Sequence, residues 1–127
     1  VIQRQEFVIG GWTPGEGANT GLIGALLLGY YDPPPSGKNP GVLRYGGAVG
    51  TGFSAEDHRD LLPELRKRQR STSPFATRVP RKDAIFVEPE LVAEIEYREW
   101  THDGHLRHPA YKGLRTDKPA EEVVREG

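Results

Sequence analysis

Apolar positions along the chain fall in short runs, most of them separated by glycine and proline. The clearest pattern is near the C-terminus, where Leu91, Ala93, Ile95 and Tyr97 alternate with Val92, Glu94, Glu96 and Arg98. A period of two is the mark of a strand with one face on a core. Gln5 to Trp12, carrying Phe7, Val8 and Ile9, predicts a first strand. Leu22 to Tyr31 predicts a second that is apolar on both faces, as a strand covered from each side would be. Leu43 to Val49 predicts a third, with Gly46, Gly47 and Gly50 hinting at a bend or bulge. Between these last two, the prolines and glycines of Asp32 to Gly41 predict a loop, because proline cannot donate to a strand ladder.

The period changes after Gly52. Ser54 suits a helix N-cap with Asp57 as its capping-box partner, and Leu61, Leu62 and Leu65 supply one apolar face. Pro63 is expected to kink this helix or restart it. A polar, basic loop is expected from there to Asp83. Ile85 to Val87 forms either a short strand or the lead into the alternating one. His102-Asp103-Gly104-His105 predicts a hairpin on a two-residue Asp-Gly loop, with Leu106 to Leu114 as the returning strand. Ala120 to Arg125 is expected to be a short helix or a tail. Three strands, a helix and two strands make the chain mainly all-β, in the element order of an OB-fold, a five-stranded Greek-key barrel with a helix between strands 3 and 4.

Composition narrows the function classes. At 127 residues the chain is expected to form one domain, and its net charge of −1 implies no global attraction to nucleic acid, so such binding must come from local patches. Without cysteine there is no disulfide, thiolate metal site or cysteine nucleophile. The longest apolar run is broken by Gly24 and Gly29 and is too short to cross a membrane, so an intracellular location is expected. A chain that starts at Val1 and has no methionine is expected to be a piece of something longer.

The candidate chemistry gathers in "WTHDGHLRHPAYKGLRTDK", Trp100 to Lys118. His102, His105 and His108 suggest a metal site, which requires side chains converging within about 2 Å of one ion. Residues three apart on a strand point to opposite faces, so exposed hairpin histidines and no metal are expected. Arg107, Lys112, Arg115 and Lys118 carry more weight, since arginine offers a planar fork for phosphate oxygens and lysine a point charge. From composition alone, a solvated charged edge strand is the favoured account of them. Seven basic residues and no acid lie between Arg66 and Lys82, as either a helix end with a solvated loop or a DNA-backbone patch. Trp12 and Trp100 could stack on bases but are expected to cap the barrel. Gly10, Gly11, Gly15 and Gly17 lack the Gly-Lys-Ser/Thr of a P-loop.

"RHPAYKGLRTDK" resembles motif VI of ATP-dependent DNA ligases, which ends in Arg-x-Asp-Lys. "RQEFVIGGWTPGEG", "GALLLGYYD", "VGTGFS" and "FVEPELVAEIEYREWT" extend the likeness over nearly the whole chain, to the OB domain of the bacterial DNA ligase D group. The resemblance implies that Arg107, Arg115, Asp117 and Lys118 press on the β- and γ-phosphates of ATP while a lysine of an adenylation domain on the same polypeptide is adenylated. That lysine belongs to a Lys-x-Asp-Gly motif absent here, so the chain alone is expected to be inactive. The resemblance further implies ATP and Mg2+ as requirements of the full enzyme, with none bound by the isolated domain. It implies a monomer that clamps nicked duplex DNA, here through Arg44, Arg66, Lys67, Arg68 and Lys112, in double-strand break repair by end joining. The implied location is cytoplasmic, at the bacterial nucleoid, with no membrane partner. The sequence departs from the family pattern at His108 and Tyr111, where phenylalanine is more usual, and at Ala48, where a basic residue is expected. A free-standing single-strand-binding OB-fold and the OB domain of an RNA-capping guanylyltransferase are the alternatives. Neither calls for all of these segments.

Overall fold

The computed structural model describes residues 1–37 and 41–126, so the middle of the expected Asp32 to Gly41 loop lies outside the described residues. The elements run β1 (Gln3–Pro14), β2 (Ile23–Asp32), β3 (Val42–Val49), α1 (Ala55–Lys67), β4 (Gln69–Arg70), β5 (Ile85–Tyr97), β6 (Glu99–Trp100), β7 (Leu106–Arg107) and β8 (Ala110–Arg115). β1, β2 and β3 form an antiparallel meander, β5 returns beside the free edge of β1, and β8 pairs with β5. The order β3-β2-β1-β5-β8 is the Greek key of an OB-fold. Short backbone contacts draw β3 toward the β7–β8 segment, with Tyr111 N donating to Thr51 O at 3.0 Å. Gly52 permits that approach. Its φ is +93°, and a Cβ there would sit 2.5 Å from the Tyr111 carbonyl oxygen.

Two apolar cores explain why the strands are apolar on both faces. Phe7, Ile9, Leu26, Leu28, Val49, Ala93 and Ile95 fill one, and α1 closes it with Leu61, Leu62 and Leu65. Val8, Leu27, Tyr30, Leu43, Tyr45 and Val92 form the second, covered by Phe75 from the segment after α1 and by Ala120 and Val123 from the C-terminal segment. That segment holds one 3-10 turn, Ala120–Glu122, and is tied down by Tyr31 N donating to Val123 O at 2.8 Å and by the buried Gln5 amide donating to Val124 O at 3.0 Å.

The helix begins as expected: Asp57 N donates to Ser54 Oγ at 3.0 Å, and Ser54 N to Asp57 Oδ2 at 2.8 Å. The bulge in β3 is present too, where the register slips between Gly47 and Tyr45 and leaves Gly46 unpaired opposite β2.

Four expectations are corrected. α1 continues through Pro63, so the helix is not restarted there, because the buried leucines on either side hold both turns against the barrel. The expected basic loop to Asp83 is in part a strap: β4 pairs with β5, Ala76 N donates to Leu43 O at 2.7 Å, and Tyr45 N donates to Thr77 Oγ1 at 2.9 Å. The hairpin loop holds three residues rather than two, since Thr101 N donates to His105 O at 2.6 Å and Gly104, at φ +84°, takes the left-handed position. The returning strand is broken at His108, φ +56°, followed by Pro109, which splits it into β7, paired with β6, and β8, paired with β5.

The strap depends on Phe75, whose ring lies over two glycines. A Cβ at Gly10 would come within 2.4 Å of it and one at Gly29 within 2.8 Å. Phe75→Ala is therefore expected to cost about 3 kcal/mol in urea denaturation. It should also open Arg78, Arg81 and Lys82 to rapid trypsin cleavage under native conditions; unchanged cleavage would show that the strap is held without Phe75.

Candidate functional site

Arg115 is the last residue of β8, and Asp117 and Lys118 lie in the bend just beyond it. Their surroundings come from the outward faces of β1 and β5. Antiparallel register sets Arg4 opposite Glu96 and Glu6 opposite Glu94, while β8 lies on the other side of β5. Period-two alternation puts these charged residues on one surface. Arg115 Nη1 lies 2.8 Å from Glu94 Oε1 and 3.4 Å from Glu6 Oε2. Its Nε and Nη2 donate to the two oxygens of Asp117 at 3.0 and 2.9 Å, a bidentate fork. Lys118 Nζ donates to Glu6 Oε1 at 3.2 Å. Arg4 bridges Glu94 at 2.9 Å and Glu96 at 2.7 Å, and Lys112 stands 3.9 Å from Glu96.

Charge in this cluster is balanced, with Arg4, Lys112, Arg115 and Lys118 facing Glu6, Glu94, Glu96 and Asp117. Donation to Asp117 and Glu94 raises the Arg115 pKa, and the same bonds from Arg115 hold Asp117 below the usual carboxylate range. Arg4 lowers Glu96 likewise. These shifts keep Arg115, Asp117 and Glu96 charged at neutral pH. Exposed ion pairs contribute little, so among these carboxylates Asp117 is the one an incoming anion could displace at small cost.

Arg107 is not part of this cluster. The break at His108 leaves it on β7, 3.3 Å from Glu99. Arg44 donates to Asp32 at 2.8 Å. At the end of α1, Lys67 pairs with Glu64, Arg68 with both Glu64 and Glu90, and Arg66 is exposed. Among the described residues, Arg66, Arg78 and Lys82 carry no ion pair. A solvent-open cleft of about 510 Å³ lies between the β1–β2 turn, the Gly50–Phe53 loop and Arg81, lined also by Asn19 and His58.

Several aromatic residues and His105 have packing roles, whereas His102 and His108 are exposed. Tyr111 stacks on Phe53 at 4.8 Å, and burial pushes its hydroxyl up to about 12. Trp12 is buried, and Trp100 sits among Phe7, Tyr30 and Tyr97 with Arg125 over its ring. His105 is half-buried edge-on to Tyr45. No group of three metal-ligating side chains converges among the described residues.

Reading the sequence alone passed over Arg4, Glu6, Glu94 and Glu96 as site residues. The alternation that put Glu94 and Glu96 on the polar face was visible. The pairing that set β1 and β8 on either side of them was not.

The geometry can be set beside known proteins. A family model described as "ATP dependent DNA ligase C terminal region" matches residues 19–118. The chain is 43% identical over 125 residues to the multifunctional non-homologous end joining DNA repair protein LigD of Mycobacterium tuberculosis, covering 96% of this chain and 16% of that protein. It is 46% identical over 127 residues to LigD of Mycolicibacterium smegmatis, covering 98% and 16%. The crystal structure of the ligase domain from M. tuberculosis LigD superposes with a TM-score of 0.86 at 41% identity, over 98% of this chain and 39% of that one. A mycobacterial DNA ligase D complexed with ATP and MES gives 0.79 at 40%, over 98% and 38%. The chain thus spans about a sixth of the curated relatives' length. By family match, sequence identity and fold together, this chain belongs to the ATP-dependent DNA ligases, as their C-terminal OB domain.

Proposed function

We propose that the chain serves as the mobile lid of an ATP-dependent ligase that joins DNA ends by non-homologous end joining. In this reading it closes over ATP during lysine adenylation and then turns to hold nicked duplex DNA. The observation that carries the reading is the cluster of Arg115, Asp117 and Lys118 on the exposed end of β8. In adenylation a lysine nitrogen of the partner domain attacks the α-phosphorus, and the bond to the bridging oxygen breaks. The electron pair leaves with pyrophosphate. Charge grows on that leaving group, and cations already held in place stabilise it without reorganising. Arg115 and Lys118 supply that field and Asp117 orients Arg115. Arg107 joins them from its own ribbon only when the lid is seated. That a mycobacterial DNA ligase D has been solved complexed with ATP supports ATP as the nucleotide. The described residues offer no cluster for Mg2+, so the metal would be held by the nucleotide and the partner domain.

For DNA, Arg44, Arg66, Lys67, Arg68 and Lys112 remain the proposed backbone contacts. Arg66 has no carboxylate to release first, and Arg44 has an exposed partner, Asp32, to exchange at little cost. Arg78 and Lys82 on the strap join them on the same ground. Phosphate contacts carry no base readout, so binding is insensitive to sequence. The protein works in the cytoplasm at the nucleoid, as a monomer; among the described residues no helix is long and apolar enough to cross a membrane.

Arg115→Ala in the full-length polypeptide is expected to slow adenylate formation by roughly 100-fold or more, with sealing of a pre-adenylated nick within about twofold of wild type. Equal loss of both steps would sink the assigned role. For the isolated chain, nick affinity is expected to fall steeply with salt, and Arg66→Ala to reduce the log–log slope by about one. An unchanged slope would remove Arg66 from the interface.

A further inference from the structure

The Arg115 guanidinium has five N–H donors, and the carboxylates around it differ in kind. Asp117 holds the Nε–Nη2 edge from a bend, with its side chain 66% exposed. Glu94 and Glu6 hold Nη1 from β5 and β1, with side chains only 20% and 21% exposed. Glu6 also holds Lys118 through its other oxygen. Both glutamates stand on strands locked in register across nearly their whole length, and Arg4 braces Glu94 from its far side. Two of the three carboxylates at Arg115 are therefore fixed by the sheet, and one is fixed only by a turn.

We propose that Glu94 and Glu6 are positioning residues for the phosphate clamp: they anchor Arg115 by Nη1 and Lys118 by Nζ to the β1–β5 sheet, and the solvent-facing Nε–Nη2 edge is the one that takes the phosphate oxygens. The inference rests on the lid reading above and adds two residues that lie outside the Arg-x-Asp-Lys segment. Its physical basis is preorganisation. A long arginine on a strand end samples many rotamers, and a carboxylate bonded to one nitrogen removes most of that freedom before the nucleotide arrives. One glutamate bonded to both cations also fixes the spacing between them. Neither glutamate need touch the nucleotide, so neither is a catalytic residue.

The test uses the full-length polypeptide with Glu94→Gln and Glu6→Gln, nearly isosteric changes at partly exposed sites, together with Glu94→Asp, Arg115→Ala and the Glu94→Gln/Arg115→Ala double variant. Adenylate formation is followed against ATP concentration, and sealing of a pre-adenylated nick is followed in parallel. Each Glu→Gln change is expected to lower the rate of adenylate formation by roughly 10- to 100-fold, with sealing within about twofold of wild type and Glu94→Asp recovering part of the loss. In the double variant, Glu94→Gln should add nothing to Arg115→Ala, because the residue it positions is gone. A full additional loss in the double variant, or an equal fall in sealing, would mean a merely structural role and overturn the proposal. Normal adenylation by Glu94→Gln while Arg115→Ala is crippled would overturn it and leave the clamp standing. Normal adenylation by Arg115→Ala would overturn the clamp reading itself.

Discussion

The pairing of β1 with β5 is the constraint on which the rest depends. These strands meet in antiparallel register from Gln3 opposite Tyr97 to Trp12 opposite Ile85, with one irregularity after Ile9. Because side chains alternate, that register sends Phe7, Ile9, Ala93 and Ile95 into one core and turns Glu6 and Glu94 outward together. A slip of one residue would reverse both sets. The same ladder that fills the core thus builds the floor beneath Arg115 and Lys118.

Burial on two sides is the second theme. The second face of β1, β2 and β3 is apolar through Val8, Leu27, Tyr30, Leu43 and Tyr45, and something in the chain must cover it. The strap after α1 does so with Phe75, and the C-terminal segment with Ala120 and Val123. The motif-bearing bend at Thr116 to Lys118 therefore lies between two anchored pieces, β8 before it and the segment bonded to Tyr31 after it. Asp117 is exposed and Lys118 half-buried, and the ends of the bend are not loose.

The charged cluster is balanced by its own carboxylates, which suits the proposed role of holding phosphate at one stage and releasing it at another. Unpaired cations at such a site would bind any polyanion strongly and indiscriminately. The exposed Asp117 pair loses little on exchange and can re-form afterwards, while Glu6 and Glu94 stay in place. The break at His108 matters for the same reason, since it leaves Arg107 on a separate ribbon with its own partner, Glu99.

Local chemistry made much of this legible from residues alone. Alternation marked the strands, Ser54 and Asp57 marked the helix start, the glycines of β3 marked its bulge, and Arg-x-Asp-Lys marked the charged segment at the end of β8, each depending on neighbours close in sequence. What the tertiary structure decided depends on residues far apart. Pro63 stays inside α1 because a distant barrel packs against the leucines around it, and the basic stretch becomes a strap because Phe75 finds Gly10 and Gly29. Glu6 and Glu94 become partners of Arg115 only through strands β1, β5 and β8, which no local rule pairs. Sequence patterning determined which residues face outward; only register, a long-range property of hydrogen-bonded strands, decided which of them meet.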